Sequence, residues 1–119
     1  MLKKELERSL IKRGEVYWVR LDPAEAAEIK KTRPAVIITN NEQNTKSKVV
    51  MVAPISKKVK NIYLTFQVPI HLKGELMKVK CEQIRAIGKH RIIGKKIATL
   101  TETEMAKISQ IIKEVLSLD

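Results

Sequence analysis

The sequence predicts a mainly β fold with some α structure: a strongly curved antiparallel sheet or small barrel, with a C-terminal helix packed on it. Three observations carry this expectation. Short stretches rich in Val, Ile, Tyr and Trp recur between polar turns from residue 15 to residue 87, a pattern of many short strands. No low-complexity linker and no repeat divides the 119 residues, so they are expected to form one domain, 1–119. After residue 100 the apolar spacing changes from strand-like to helical.

Each element follows from local chemistry. Leu2, Leu6 and Leu10 stand four apart, which suggests a short added amphipathic helix over 1–10. Glu15 to Leu21 is rich in Val, Tyr and Trp and reads as a strand. Asp22-Pro23 stops it, and 24–32 reads as a long exposed loop, with a turn of helix as the competing reading. Pro34 cannot donate to a ladder, so it is expected at the first residue of a strand that continues from Ala35 to Thr39 and ends at Asn40-Asn41. Val49 to Ile55 is apolar throughout, too much so for burial of one face only. Residues 64–70 and 76–80 look like a hairpin around Lys73-Gly74, and Glu82 to Ile87 like a further strand. Thr101-Glu102-Thr103-Glu104 has the spacing of a capping box. Met105, Ile108, Ile112 and Val115 then form a helical stripe, with Ile111 and Leu116 beside them.

Composition narrows the function classes. With 44% hydrophobic residues, a chain of this size buries roughly two thirds of its unfolded surface and needs no staples. A single cysteine, Cys81, excludes an intramolecular disulfide and fits a reducing compartment. The longest apolar run, Val49 to Ile55, is seven residues, far below the roughly 20 that span a bilayer. Residues 1–13 alternate charge with leucine and lack the apolar stretch of a signal peptide. The expectation is a soluble cytoplasmic protein without a membrane partner.

The formal charge is +11. It belongs to the whole chain, since residues 1–60 hold 14 Lys/Arg against 7 Asp/Glu and 61–119 hold 10 against 6. Two stretches concentrate it: Lys46, Lys48, Lys57, Lys58 and Lys60, then Lys78, Lys80, Arg85, Lys89, Arg91, Lys95 and Lys96. Such a field steers polyanions to the surface and binds phosphates with release of counterions. Nucleic acid is therefore the expected partner, ahead of a charge serving solubility alone. Only Tyr17, Trp18, Tyr63 and Phe66 are aromatic, too few for the stacking sheet of an RNA-recognition motif, so charge and shape must carry most of the binding.

Four segments, in this order, resemble the MazF/PemK toxins: Ile11-Lys12-Arg13-Gly14-Glu15-Val16-Tyr17-Trp18-Val19, Arg33-Pro34-Ala35-Val36-Ile37-Ile38-Thr39-Asn40, Val50-Met51-Val52-Ala53-Pro54-Ile55-Ser56 and Glu82-Gln83-Ile84-Arg85-Ala86-Ile87. The resemblance spans residues 11 to 118 and leaves 1–10 outside. It implies the MazF/PemK/CcdB-like fold, an SH3-like barrel of five to seven strands with helices, dimerised about a two-fold axis. It also implies a toxin endoribonuclease, an mRNA interferase without metal or other cofactor. Such an enzyme cuts single-stranded RNA at short sequences, leaves a 2′,3′-cyclic phosphate and a 5′-hydroxyl, and arrests growth when its cognate antitoxin releases it.

Cleavage of that kind needs a base for the 2′-hydroxyl proton, stabilisation of a dianionic phosphorane and an acid for the leaving oxygen. Arg33 matches the family's catalytic arginine, and its planar fork suits two phosphorane oxygens; apart from the resemblance it reads as a surface charge. Ser56 stands where many relatives place threonine and could hydrogen-bond the phosphate, the alternative being a strand-end serine capping a turn. Arginine rarely gives up a proton, which leaves the base open. Glu28 aligns with a frequent family glutamate and could supply or orient it, or could pair with Lys30 or Lys31. Lys30, Lys31, Lys57 and Lys58 flank the site as phosphate binders or as solvated charges. Glu82 and Gln83 are expected to bound the groove, Gln83 reading a base edge; the alternative for Glu82 is a salt bridge to Arg85.

His71 and His90 match no catalytic position, Cys81 has no partner that suggests a nucleophile, and metal ligands at useful spacing are absent. Two rivals stand beside the nuclease. A gyrase-poison-like toxin of the same fold is disfavoured, because relatives of that kind end in Trp-Gly-Ile and this chain in Leu116-Ser117-Leu118-Asp119. A non-catalytic nucleic-acid-binding barrel remains open.

Overall fold

The computed structural model describes residues 10–21 and 32–119. Of the expected helix over 1–10 only Leu10, a turn residue, is described, and of the loop expected over 24–32 only Thr32, which is the first residue of β2; the rest lie outside the described residues. Among the described residues seven strands form one curled antiparallel sheet: β1 (Glu15–Arg20), β2 (Thr32–Ile37), β3 (Val49–Ser56), β4 (Gln67–Leu72), β5 (Glu75–Lys80), β6 (Arg85–Gly88) and β7 (Ile92–Thr99). A six-residue helix α1 (Asn41–Lys46) links β2 to β3, and a 14-residue helix α2 (Glu102–Val115) follows β7.

The sheet curls because β3 changes partners along one edge. Its first half pairs with β6, ending at Val52↔Arg85, and its last residues pair with β5 from Ile55↔Val79. Ala53 and Pro54 fall in the gap between these ladders. Proline lacks an N–H, so it is tolerated inside a strand where one edge carries no ladder. On the other edge β3 pairs with β2 from Ala35↔Pro54 to Ile37↔Val52.

Pro34 is the third residue of β2, opposite Trp18, and not the first as the sequence suggests. Its missing donor is harmless toward β3, because that register begins one residue later.

Apolar side chains pack on both faces. One cluster holds Val16, Val36, Ala53, Ile55, Val68, Ile70 and Val79, closed by Ile108 and Ile111 of α2. The other, enclosed by the curl, holds Tyr17, Val19, Ala35, Ile37, Val50, Val52, Ile87 and Ile92. The apolar run of β3 contributes to both, as its composition predicts. The capping box forms as expected, with the Thr101 hydroxyl accepting from Glu104 N and the Glu104 carboxylate from Thr101 N.

Other elements depart from the sequence expectation. Lys73 and Gly74 both take positive φ, 51° and 81°, and join Leu72 to Glu75 as a two-residue turn, as a type I′ hairpin requires. The first hairpin strand, however, starts at Gln67; Tyr63–Phe66 is a turn, with Tyr63 O accepting from Phe66 N and Gln67 N. Cys81–Gln83 is a 3-10 turn, and the strand expected at Glu82 begins at Arg85. α1 and β7 have no counterpart in the sequence reading. Asn40 caps α1, and the buried Asn44 side chain bonds Thr39 O at 2.8 Å. β7 bulges between Ile93 and Ala98 across from Trp18 and Val16, with Gly94 at φ 72°.

Candidate nucleic-acid groove

The partner switch in β3 opens a groove of about 610 Å³. Three strand ends and one 3-10 turn line it: Thr32, Arg33 and Pro34 open β2, Pro54, Ile55 and Ser56 close β3, Lys80 closes β5, and Gln83 sits in the turn before Arg85. Lys57 and Lys58 follow from β3, and Trp18 and Leu21 form an apolar wall. Strand ends fix backbone positions, while the side chains beyond them are free to reach a ligand.

The electrostatics are one-sided. Arg33, Lys57, Lys58, Lys80 and Arg85 all face the groove, and among the described residues neither a carboxylate nor an imidazole lines it. Nor is any of these five cations in an ion pair among the described residues. Five cations over an apolar wall attract a polyanion and leave room for its non-ionic parts.

Of the two readings weighed for Ser56, the structure forms the turn cap. Its oxygen accepts the Lys58 N–H at 3.1 Å, which caps the turn after β3. A hydroxyl can accept and donate together, so its proton remains available to a ligand oxygen. Across the β3–β5 ladder, Ser56 faces Lys78. That lysine is 8% exposed, and its ammonium donates to Asn61 O at 2.8 Å.

Of the residues singled out by sequence, the structure brings Arg33, Ser56, Lys57, Lys58 and Gln83 into one groove. Glu28, Lys30 and Lys31 lie outside the described residues. Glu82 does not line the groove, and it does not bridge to Arg85: its carboxylate accepts from Gln67 Nε2 at 2.7 Å. The 3-10 turn explains this, because adjacent residues there point in different directions, sending Gln83 inward and Glu82 away. His71 and His90 are also outside the lining.

Trp18, Lys80 and Arg85 are groove residues that sequence reasoning did not assign. Lys80 and Arg85 belong to the second basic stretch, which carried the signal without saying which lysines converge. Trp18 is the exposed aromatic on a strand whose neighbours Tyr17 and Val19 are buried.

Buried groups nearby are held neutral. Burial, reinforced by the charge of Glu82, pushes the Cys81 thiol up to about 12, which suppresses the thiolate a nucleophile would need. Burial raises Tyr17 as well, helped by its hydrogen bond and proximity to the Glu15 carboxylate. Among the described residues no group of three or more His, Cys, Asp or Glu is placed to hold a metal ion. No described helix is long and apolar enough to cross a membrane.

Known proteins are similar to this chain in sequence and fold. Residues 12–116 match the model of the PemK-like, MazF-like toxins of type II toxin–antitoxin systems. The chain is 30% identical to the endoribonuclease MazF9 of Mycobacterium tuberculosis, over 92% of this chain and 98% of that one. It is 31% identical to the endoribonuclease MazF of Staphylococcus epidermidis, over 92% and 94%. Among solved structures, a mycobacterial endoribonuclease superposes with a TM-score of 0.72 at 22% identity, covering 91% of this chain and 92% of that one. A mycobacterial endoribonuclease in complex with its cognate antitoxin superposes with a TM-score of 0.71 at 20% identity, covering 92% and 95%.

Proposed function

The chain belongs to the PemK-like, MazF-like toxin family of type II toxin–antitoxin systems, and from that premise we propose that it is a cytoplasmic endoribonuclease that cuts single-stranded RNA without a metal ion. The observation that carries this reading is the convergence of Arg33 and Ser56 with four other cations on one groove. A phosphodiester entering there meets an arginine fork and a free hydroxyl proton at the ends of two rigid strands.

In the proposed reaction a base removes the ribose 2′-hydroxyl proton and the 2′-oxygen attacks the adjacent phosphorus. The bond from phosphorus to the 5′-oxygen then breaks, leaving a 2′,3′-cyclic phosphate. Arg33 neutralises the two non-bridging oxygens as they gain charge, and Ser56 donates a further hydrogen bond. An ammonium of the groove protonates the departing 5′-oxygen, giving a 5′-hydroxyl end. The five cations supply the charge neutralisation that divalent ions provide in other phosphoryl-transfer sites. The described lining offers no carboxylate; by the family resemblance, Glu28, from the segment preceding β2, supplies or orients the base. Lys30 and Lys31 extend the phosphate contacts, and Gln83 reads a base edge.

The protein acts as a homodimer and is held inactive by a cognate antitoxin, a partner with which some structural neighbours were solved. Acidic antitoxin chain and RNA compete for the same cationic groove.

The test is a single-stranded RNA incubated with purified protein in excess EDTA, with the new ends characterised. The reading expects cutting, 5′-ends that accept phosphate from a polynucleotide kinase without prior dephosphorylation, and 3′-ends that resist ligation to a 5′-phosphate until the cyclic phosphate is opened and removed. Cutting that appears only when magnesium is restored, or 5′-phosphate ends, contradicts it.

A further inference from the structure

Beside the groove, the loop between β3 and β4 carries two of the chain's four aromatics in an arrangement the reaction does not use. The Tyr63 and Phe66 rings stack with centroids 5.3 Å apart and planes 12° from parallel, the offset geometry that aromatic pairs favour. Phe66 is partly covered, whereas Tyr63 is 54% exposed. The pair therefore presents one open aromatic surface, backed by a second ring.

Its backbone is tied down on both sides. The buried Gln67 accepts from Tyr63 N through Oε1 at 3.1 Å and donates through Nε2 to Glu82 at 2.7 Å. Glu82 is the neighbour of Gln83, which lines the groove. Lys78, opposite Ser56, holds Asn61 O. Each tie joins the aromatic turn to an element that also carries a groove residue. The same loop begins with Lys57, Lys58 and Lys60, so phosphates bound along it would lead a strand toward the ring.

We propose that Tyr63, backed by Phe66, is a stacking subsite for an unpaired nucleobase of the bound RNA, away from the scissile phosphate. The inference rests on the RNA-cleaving reading and extends it: cations hold the backbone and this ring holds one base. Stacking on an aromatic ring is tolerant of base identity and adds affinity without hydrogen-bond readout. Part-buried ties on the loop backbone and the stacked Phe66 ring hold Tyr63 in place before RNA arrives, so little ordering cost is charged to binding.

The test uses a single-stranded RNA oligonucleotide containing a mapped cut site, with 2′-O-methylribose at the scissile position so that it binds uncut. 2-Aminopurine is placed at successive positions. With the parent protein, one position is expected to show strong quenching. Tyr63→Leu, which keeps an apolar contact for Phe66, should abolish that quenching and weaken binding by about 5- to 150-fold, while Tyr63→Phe restores both. Circular dichroism and solution mass should be unchanged in all three proteins.

Parent-like quenching and affinity in Tyr63→Leu overturns the subsite and leaves the nuclease reading standing. A change of oligomeric mass on Tyr63→Leu also overturns it, because the ring then serves contact between protein chains. A parent that neither binds nor cuts RNA overturns both readings together.

Discussion

Ser56 and Lys78 face each other across the β3–β5 ladder, one with its side chain at the groove and the other buried beneath the loop that carries Lys57 and Lys58. The two have separable roles. Ser56 has a proton to give to a ligand, while the Lys78 ammonium is committed to the Asn61 carbonyl.

Ser56→Ala removes the donor and should lower single-turnover cleavage by roughly 10²-fold, at the lower end of what one lost transition-state hydrogen bond costs. Ser56→Thr keeps the hydroxyl and should retain at least a tenth of the parent rate. A Ser56→Ala enzyme as fast as the parent would show that the hydroxyl only caps its turn.

Lys78→Met should act through structure. It leaves Asn61 O without its donor and frees the loop, costing about 1–2 kcal/mol in urea unfolding. Cleavage should weaken mainly through KM, since on the proposed reading the lysines of the loop hold substrate in ground and transition states alike. Loss of kcat with KM unchanged would move Lys78 from the support of the site into its chemistry.

Arg13 clamps the C-terminal helix to the sheet, its guanidinium donating to the Ser109 hydroxyl and to Ile38 O. Arg13→Met keeps the aliphatic stem and loses both bonds. The expected cost is about 1–2 kcal/mol, a fall of roughly 5–10 °C in Tm for a domain of this size. An unchanged Tm would mean that α2 is held by its apolar contacts alone.

Cys81 makes stability depend on alkaline pH. Its pKa rises from the usual 9 or so to about 12 on folding, so the unfolded chain loses this proton first. The contribution is whole below about pH 9 and is lost as pH climbs toward 12, at a slope of up to about 1.4 kcal/mol per pH unit. Tyr17 is shifted in the same direction and adds a slope common to parent and variant. Urea unfolding from pH 8 to 10.5 should therefore fall more steeply for the parent than for Cys81→Ala; parallel curves would contradict the assignment.

What the sequence conveyed depended on how local each signal was. The apolar run of β3, the capping box of Thr101 and Glu104 and the turn at Lys73-Gly74 are set by neighbours in the chain, and the structure forms all three. α1 was not readable, because a polar six-residue helix owes its stability to the Asn40 cap and the buried Asn44 amide. Residues 64–66 looked like the start of a strand, since Thr65 and Phe66 have strand propensity, whereas the bonds of Gln67 to Tyr63 N and of Lys78 to Asn61 O hold this segment as a turn. Within the groove, Arg33, Ser56, Lys57, Lys58 and Gln83 were legible through the family resemblance, and all five line it. Lys80, Arg85 and Trp18 were not, because which basic or aromatic residues converge depends on where β3 changes partners.

The central claim is that the Arg33 guanidinium stabilises the transition state of RNA cleavage, and the single-turnover rate of Arg33→Ala in excess EDTA tests it most directly. The account predicts a fall of roughly 10²–10³-fold or more with RNA affinity much less affected, because four other cations still line the groove. An Arg33→Ala protein that cuts the same RNA at the parent rate would contradict it.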